Sequence, residues 1–322
     1  MVTTPFQYFS SAINSRIPKK ARLEQLADAL LKISSSWVPH GVDIFDREWD
    51  VLLILDTCRA DAMDQVASEY EFLDSGTTVW SRGSATREWV AHTFTTENID
   101  EIRNTALVTA NPTSRWGLRH EAEPNWPEFS KRFTNWDTVE PHHFCEFDEV
   151  WRYGPKNPFS GTVMPYAVTD RAISTWRSTR ASRMIVHYLP PHIPYGARSV
   201  KQNRPLNDIE NDPWNALKSG TSKEQVWNAY IEELVFGLES VETIITDIDA
   251  DKIVITSDHG ESFGEFGIYA HPMLPLPQLR KVPWVETTGQ GQNEYTTHIE
   301  PTTVDGNTEQ KVEKQLEMLG YR

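Results

Sequence analysis

Two short apolar runs end on side chains that bind metals. Val51-Leu52-Leu53-Ile54-Leu55 runs into Asp56-Thr57-Cys58-Arg59. Lys252-Ile253-Val254-Ile255-Thr256 runs through Ser257 into Asp258-His259-Gly260-Glu261. Two carboxylates and an imidazole are good ligands for a divalent cation such as Mn²⁺, Zn²⁺, Mg²⁺ or Ca²⁺. Runs of this kind make parallel strands buried on both faces. Ligands bind outside the carboxyl ends of such strands, so Asp56, Asp258 and His259 are expected at one sheet edge although they lie far apart in the chain. The plainer reading makes each Asp a cap on the helix that follows. The Asp-His-Gly-Glu sequence after the second run weighs against it.

The elements that must position these residues alternate. A strand over 50–55 precedes a helix from Ala60 to Glu69, and a short strand covers Thr77 to Trp80. Gly83-Ser84-Ala85-Thr86 is a small-residue turn that opens a helix from Arg87 to Phe94. Leu107 to Thr109 is a strand ended by Ala110-Asn111-Pro112. Pro165 to Ser178 is helical, and Arg183 to Tyr188 is a strand broken by Pro190-Pro191-His192-Ile193-Pro194-Tyr195. Ser222 to Ile248 is the longest helix, with Val226, Tyr230, Leu234, Leu238, Val241 and Ile245 near one face. Strands alternating with helices imply an α/β fold, a three-layer sandwich around a largely parallel central sheet. Residues 1–47 read as a helical N-terminal extension and 48–322 as one domain. Within it, 113–160 is rich in Trp, Pro and His and lacks a period, which suggests an insertion carrying short helices. Residues 285–307 read as a loop, and Thr308 to Leu319 as a terminal helix.

Composition narrows the function. The 322-residue chain has net charge −15 and a pI of about 5.1. No strong basic cluster offsets the acidity, which argues against a nucleic-acid partner. An acidic excess with few lysines suits a high-salt cytoplasm, and equally an ordinary acidic enzyme. Two cysteines, Cys58 and Cys145, make no disulfide framework. Cys58 reads as a small buried hydrophobe. No run approaches the roughly 20 apolar residues of a membrane span. Met1 to Ser15 lacks the charged and apolar regions of a signal peptide, so the expected location is the cytoplasm. Ala21 to Ile33 is amphipathic. It either packs on the domain or makes a peripheral membrane contact.

Four ordered motifs carry a family resemblance over roughly residues 48–322. Leu55-Asp56-Thr57-Cys58-Arg59-Ala60-Asp61 resembles the first metal motif of the sulfatase branch of the alkaline phosphatase superfamily. Ile185 to Tyr195 is similar to that branch's central strand, which ends in Asp-Pro-His-x-Pro-Tyr. Thr256 to Glu265 resembles its second metal motif. His271 and Val282-Pro283 fall where members often carry a His and a Val-Pro strand. The Leu319-Gly320-Tyr321 ending is also similar to many members' tails.

The resemblance implies an alkaline-phosphatase-like core and a hydrolase or transferase acting on a sulfate or phosphate ester, on a small molecule or a glycan. It implies one divalent metal held by Asp56, Asp258 and His259. A metal lowers a hydroxyl nucleophile's pKa and neutralises charge on the non-bridging oxygens. The nucleophile is expected at a helix start, where free N–H groups favour an anion. Family phosphoglycerol transferases carry Thr-Ser-Asp-x-Glu-Phe there. Aligning Glu-Phe with Glu88-Trp89 points to Ser84, with Thr86 the alternative and helix capping the plain reading of both. His192 and His271 are candidates for proton transfer at the leaving oxygen, against simple packing in a loop. Arg59 either contacts the anion or pairs with Asp61. His142-His143 reads as surface.

Three departures limit the likeness. No Cys or Ser followed by x-Pro-x-Arg follows the Asp56 strand, so a formylglycine mechanism is not implied. Two-zinc members have an Asp four residues before the central His. Tyr188 stands there and Pro191 replaces the usual Asp, so a complete second metal site is not evident. His259, where many sulfatases carry Asn, favours phosphoryl transfer. A different class remains open: a sulfatase-like fold kept as a non-catalytic binding protein.

Overall fold

Strand β1 (Val51–Leu55) is buried along its whole length, as an apolar run covered on both faces must be. The computed structural model describes residues 40–73, 76–118 and 134–301. The amphipathic stretch 21–33 and the terminal helix at 308–319 lie outside the described residues. In chain order the remaining strands are β2 (Thr77–Trp80), β3 (Thr105–Thr109), β4 (Glu146–Glu149), β5 (Arg183–Tyr188), β6 (Ile253–Thr256), β7 (Ser262–Phe263), β8 (Tyr269–Ala270) and β9 (Lys281–Thr287). Seven form one mixed sheet in the order β2-β9-β6-β1-β5-β3-β4, and β7 and β8 form a small separate hairpin. Strands β6, β1, β5, β3 and β4 pair in parallel. Strand β9 runs antiparallel to both neighbours, β6 and β2.

The pleat sorts each strand's side chains to two faces. Val51, Leu53 and Leu55 share one core with Met184, Val186, Tyr188, Ile253 and Ile255. That core lies under helices α1 (Ala60–Val66), α3 (Pro165–Ser178) and α4 (Lys223–Asp247). Leu52 and Ile54 share the other core with Leu107, Ile185 and Val254. Trp89 and Val90 of α2 (Thr86–Thr93) close that face.

Helix α4 follows its sequence pattern. The Ser222 hydroxyl caps it by accepting from Gln225 N at 3.3 Å. Val226, Tyr230, Leu234, Leu238, Val241 and Ile245 are all buried. Each such side chain contributes roughly 1.5–3 kcal/mol of burial, and Leu234→Ala would cost about 2–5 kcal/mol.

Some expectations need revision. The described part of 113–160 holds short helices, but also β4, which pairs with β3 at the sheet edge. Its Glu-Phe-Asp-Glu sequence hides a strand, because its buried residues, Asp148 and Glu149, are not apolar but paired with Arg171 and Arg152. Residues 285–287, read as loop, complete β9. Backbone from 288 to 301 is irregular and is held to α3 by Arg171 and Asp170, which bond Ile299 and His298. Among the described residues no helix is long and apolar enough to cross a membrane.

Candidate metal centre and active site

The period of two that sorts the core also builds the site. Asp56 follows Ile54 by two residues, Asp258 follows Thr256 by two, and Asn111 follows Thr109 by two. His187 pairs in register with Ile54 and with Thr109. All four therefore project from the carboxyl ends of β1, β6, β3 and β5 toward the α2 face. The first residue of α2, Thr86, meets them there.

The contacts are close. Asp56, Thr86, Asn111, Asp258 and His259 are fully buried, and His187 is 1% exposed. His187 Nε2 lies 3.5 Å from Asp56 Oδ2 and 3.8 Å from Asp258 Oδ2. His259 Nε2 lies 3.6 Å from Asp56 Oδ1 and 3.4 Å from Asp258 Oδ2. Thr86 Oγ1 is 3.2 Å from His259 Nε2 and donates to Asp56 Oδ2 at 3.4 Å.

Backbone geometry locks the carboxylates in place. Thr57 turns the chain at φ +64°, an unusual conformation for a β-branched residue. Its N–H then reaches Asp258 Oδ1 at 3.3 Å, and the His259 N–H reaches the same oxygen at 2.9 Å. The Tyr230 hydroxyl holds the turn, donating to Thr57 O at 2.8 Å and accepting from Arg59 N at 2.9 Å. Gly260 has its own reason. A Cβ there would sit 2.2 Å from Gln278 O, where the chain packs closely enough for Gly260 N to bond Leu279 O at 2.7 Å.

Burial opposes ionisation of Asp258, yet the His259 and His187 imidazoles and the Thr86 and Thr57 donors hold its pKa below the usual carboxylate value. Burial lowers His259. It also disfavours charge on His187, but Asp56 and Asp258 outweigh it and raise that pKa.

The donor set fits a divalent cation. Asp56, His187 and Asp258 each offer a ligand atom, all within 4.8 Å of one another. Asp56 Oδ1, Asp258 Oδ2 and His187 Nε2 are buried without a hydrogen-bond partner. Native structures rarely orphan buried polar atoms without an ion or water to meet them. Among the described residues no Lys or Arg pairs with either carboxylate; their ion-pair partners are imidazoles. His259 donates from Nδ1 to Gly260 O at 2.8 Å, which leaves its Nε2 lone pair facing the carboxylates.

The sequence candidates divide. Asp56, Thr86, Asp258 and His259 meet, but the expected convergence of Ser84 does not occur. Ser84 N and Oγ both donate to Glu88 Oε2, at 2.7 and 2.8 Å. Arg280 Nη2 fixes the other Glu88 oxygen at 2.5 Å. The hydroxyl is thus spent on a buried ion pair. Arg59 is also occupied elsewhere. It bonds Asp61 through Nε at 2.8 Å and Nη2 at 2.6 Å, and Glu265 through Nη1 at 2.9 Å. Of its two sequence readings, the pairing one is seen.

His192 and His271 flank the centre. The His271 ring lies 4.7 Å from that of His259 and 5.2 Å from that of His192, centroid to centroid. Burial pushes His192 down to about 4, and its Nδ1 is bonded to Ile193 O at 2.6 Å. His271 Nδ1 faces both oxygens of buried Glu261 at 3.2 Å. Burial disfavours its charge, but Glu261 raises its pKa.

His187 and Asn111 were not anticipated as site residues. Counting back four residues from His192 leads to Tyr188, which points to the opposite core and bonds Thr169 Oγ1 at 2.6 Å. The available signal was a lone imidazole inside an otherwise apolar strand. Asn111 resembled an ordinary strand-ending Asn-Pro turn.

Three solved structures are similar to this chain to different degrees. The integral membrane lipooligosaccharide phosphoethanolamine transferase A from Neisseria meningitidis aligns with a TM-score of 0.50 and 14% identity, over 89% of this chain and 55% of that one. The soluble domain of the same transferase aligns with a TM-score of 0.47 and 14% identity, over 77% of this chain and 78% of that one. A protein of the alkaline phosphatase superfamily from Vibrio parahaemolyticus gives 0.39 and 10% identity, over 88% and 72%. No family model matches the chain, and no curated protein matches it. The class defined is one of fold: an α/β sandwich with a mostly parallel seven-stranded sheet, similar to that of the Neisseria transferase.

Proposed function

We propose that the protein is a metal-dependent transferase or hydrolase of phosphate or sulfate esters, with phosphate favoured, and that Thr86 is its nucleophile. One observation carries the reading: Thr86 Oγ1 stands at the start of α2 with Asp56 Oδ2 at 3.4 Å and His259 Nε2 at 3.2 Å, inside a cluster of orphaned ligand atoms. The likeness in fold to phosphoethanolamine transferases agrees with it.

Asp56, Asp258, His187 and His259 would hold the cation. When bound, it supplies a lowered hydroxyl pKa and charge neutralisation at the ester's non-bridging oxygens. Thr86 Oγ1 forms the bond to phosphorus or sulfur as the bond to the ester's leaving oxygen breaks. The Thr86 proton passes to Asp56 Oδ2, 3.4 Å away, since the cation would take the His259 Nε2 lone pair. The leaving oxygen takes a proton from His271, whose charged form Glu261 favours. Water or a second alcohol, giving its proton to His271, then receives the group as the bond to Thr86 breaks, and Thr86 Oγ1 regains its proton from Asp56 Oδ2. The N–H groups opening α2 favour the anionic ester.

The test compares Thr86→Ala and Ser84→Ala with the wild type on 4-nitrophenyl phosphate and 4-nitrophenyl sulfate, with bound zinc and manganese measured in each. Thr86→Ala should lose turnover by at least about 10³-fold and keep its metal. Ser84→Ala should lose about 1 kcal/mol of stability and stay active. The opposite pattern would restore Ser84 as nucleophile. A wild type that binds metal and turns over neither ester would favour a non-catalytic binding role.

A further inference from the structure

Asn111 makes contacts that a mere turn residue does not need. Its Oδ1 accepts from Thr113 N at 2.8 Å, closing a local turn at the end of β3. Its own N–H is held by Thr109 Oγ1 at 3.0 Å. Because Oδ1 must face an N–H donor, the amide has only one sensible orientation. Nδ2 then points into the centre, where it donates to Asp56 Oδ2 and lies 3.4 Å from Thr86 Oγ1. The residue is fully buried.

Two consequences follow. Asp56 has its Oδ2 engaged by Asn111, which leaves Oδ1 as the oxygen without a hydrogen-bond partner. Asn111 therefore decides which Asp56 oxygen faces the ligand cluster. Thr86 Oγ1 receives an N–H, so its own proton must point to another acceptor. Asp56 Oδ2, His259 Nε2 and the Asp258 carboxylate are within reach. As Oγ1 gives up that proton, the amide N–H remains to offset the growing negative charge.

We propose that Asn111 is a positioning residue: one amide, anchored by its own turn, orients both Asp56 and the attacking hydroxyl of Thr86. The proposal rests on the reading of Thr86 as nucleophile. It adds a donor that ties the end of β3 to the start of α2, and it assigns Asn111 no contact with substrate.

The experiment separates donor from turn. In Asn111→Asp the acceptor for Thr113 N–H survives and the donor is lost. In Asn111→Ser the hydroxyl can still serve the turn but is too short to reach Thr86, and no buried charge is added. The serine variant answers the question even where the aspartate variant does not fold. Both are assayed as the zinc-loaded full chain on 4-nitrophenyl phosphate, beside Thr86→Ala. The expected result is a kcat lower by about 10–100-fold with KM within about twofold, and a melting temperature for Asn111→Ser close to wild type. Zinc affinity, read by chelator competition without turnover, should weaken by about 10-fold. Wild-type kcat and wild-type zinc affinity in Asn111→Ser would overturn the proposal while leaving the nucleophile reading intact. A raised KM at constant kcat would also overturn it, since the amide would then act on substrate. Activity retained in Thr86→Ala removes the nucleophile reading and the proposal together.

Discussion

Two charged clusters sit side by side at the carboxyl ends of β1 and β6, and they handle charge in opposite ways. In the first, Asp56 and Asp258 are fully buried and have only imidazoles as charged partners, with ligand atoms left orphaned. In the second, every charge is matched: Arg59 with Asp61 and Glu265, Lys223 with Glu265, and nearby Arg280 with Glu88. Burial alone does not separate them, because Glu88 is as buried as Asp56. The balance of charge does. A matched cluster is complete as scaffold. An unmatched pair of carboxylates calls for a cation, since uncompensated buried charge is costly.

The largest expected effect breaks the unmatched cluster. Asp258→Asn should weaken zinc affinity by more than the 10–100-fold typical of an outer partner, and remove ester turnover with it. Unchanged metal stoichiometry at micromolar zinc would place the cation elsewhere.

Breaking the matched cluster should act on stability. Arg280→Ala leaves Glu88 charged and buried without its guanidinium, at a cost of about 3–5 kcal/mol, read as a fall in thermal midpoint. The same change should also free Ser84 from its fixed position, because Glu88 loses its anchor. A midpoint within a degree of wild type would show that the pair is not a structural clamp.

Glu233 offers a third way to treat a buried carboxyl. It accepts from Ala197 N at 2.7 Å. Burial, only partly offset by backbone donors, pushes its pKa up to about 8 from the ordinary 4.5. The folded chain therefore holds a proton that the unfolded chain releases above about pH 4.5. The associated stability is fully present below that value and is lost as pH rises through about 8. Glu233→Gln should gain on the wild type in thermal stability as pH goes from 5 to about 8.5. A constant difference across that range would contradict the protonated carboxyl.

The smallest effect is expected at Arg59. Asp61 is 58% exposed, and Glu265 keeps Lys223 when the guanidinium is removed. Arg59→Met should cost about 1 kcal/mol or less and leave KM for 4-nitrophenyl phosphate unchanged. A tenfold rise in KM would return Arg59 to the anion-contacting role that its place in the motif first suggested.

Local pattern made much of this molecule legible. The 3.6-residue period of Val226 to Ile245 and the apolar runs ending at Asp56 and Asp258 are visible in the residues themselves. Burial of a helix stripe or of a two-faced strand constrains neighbouring positions directly. The same runs brought Asp56, Asp258 and His259 together correctly. Tertiary structure decided the rest. Ser84 and Thr86 are both hydroxyls in one turn. What separates them is Arg280, distant in sequence, which fixes Glu88 and so draws Ser84 away. His187 joins the site because β5 pairs with β1 in a register that sets it beside Ile54. Asn111 joins because β3 pairs with β5. The physical reason is one of range: periodicity encodes which face a side chain takes, whereas its polar partner depends on which strand ends the sheet order makes neighbours.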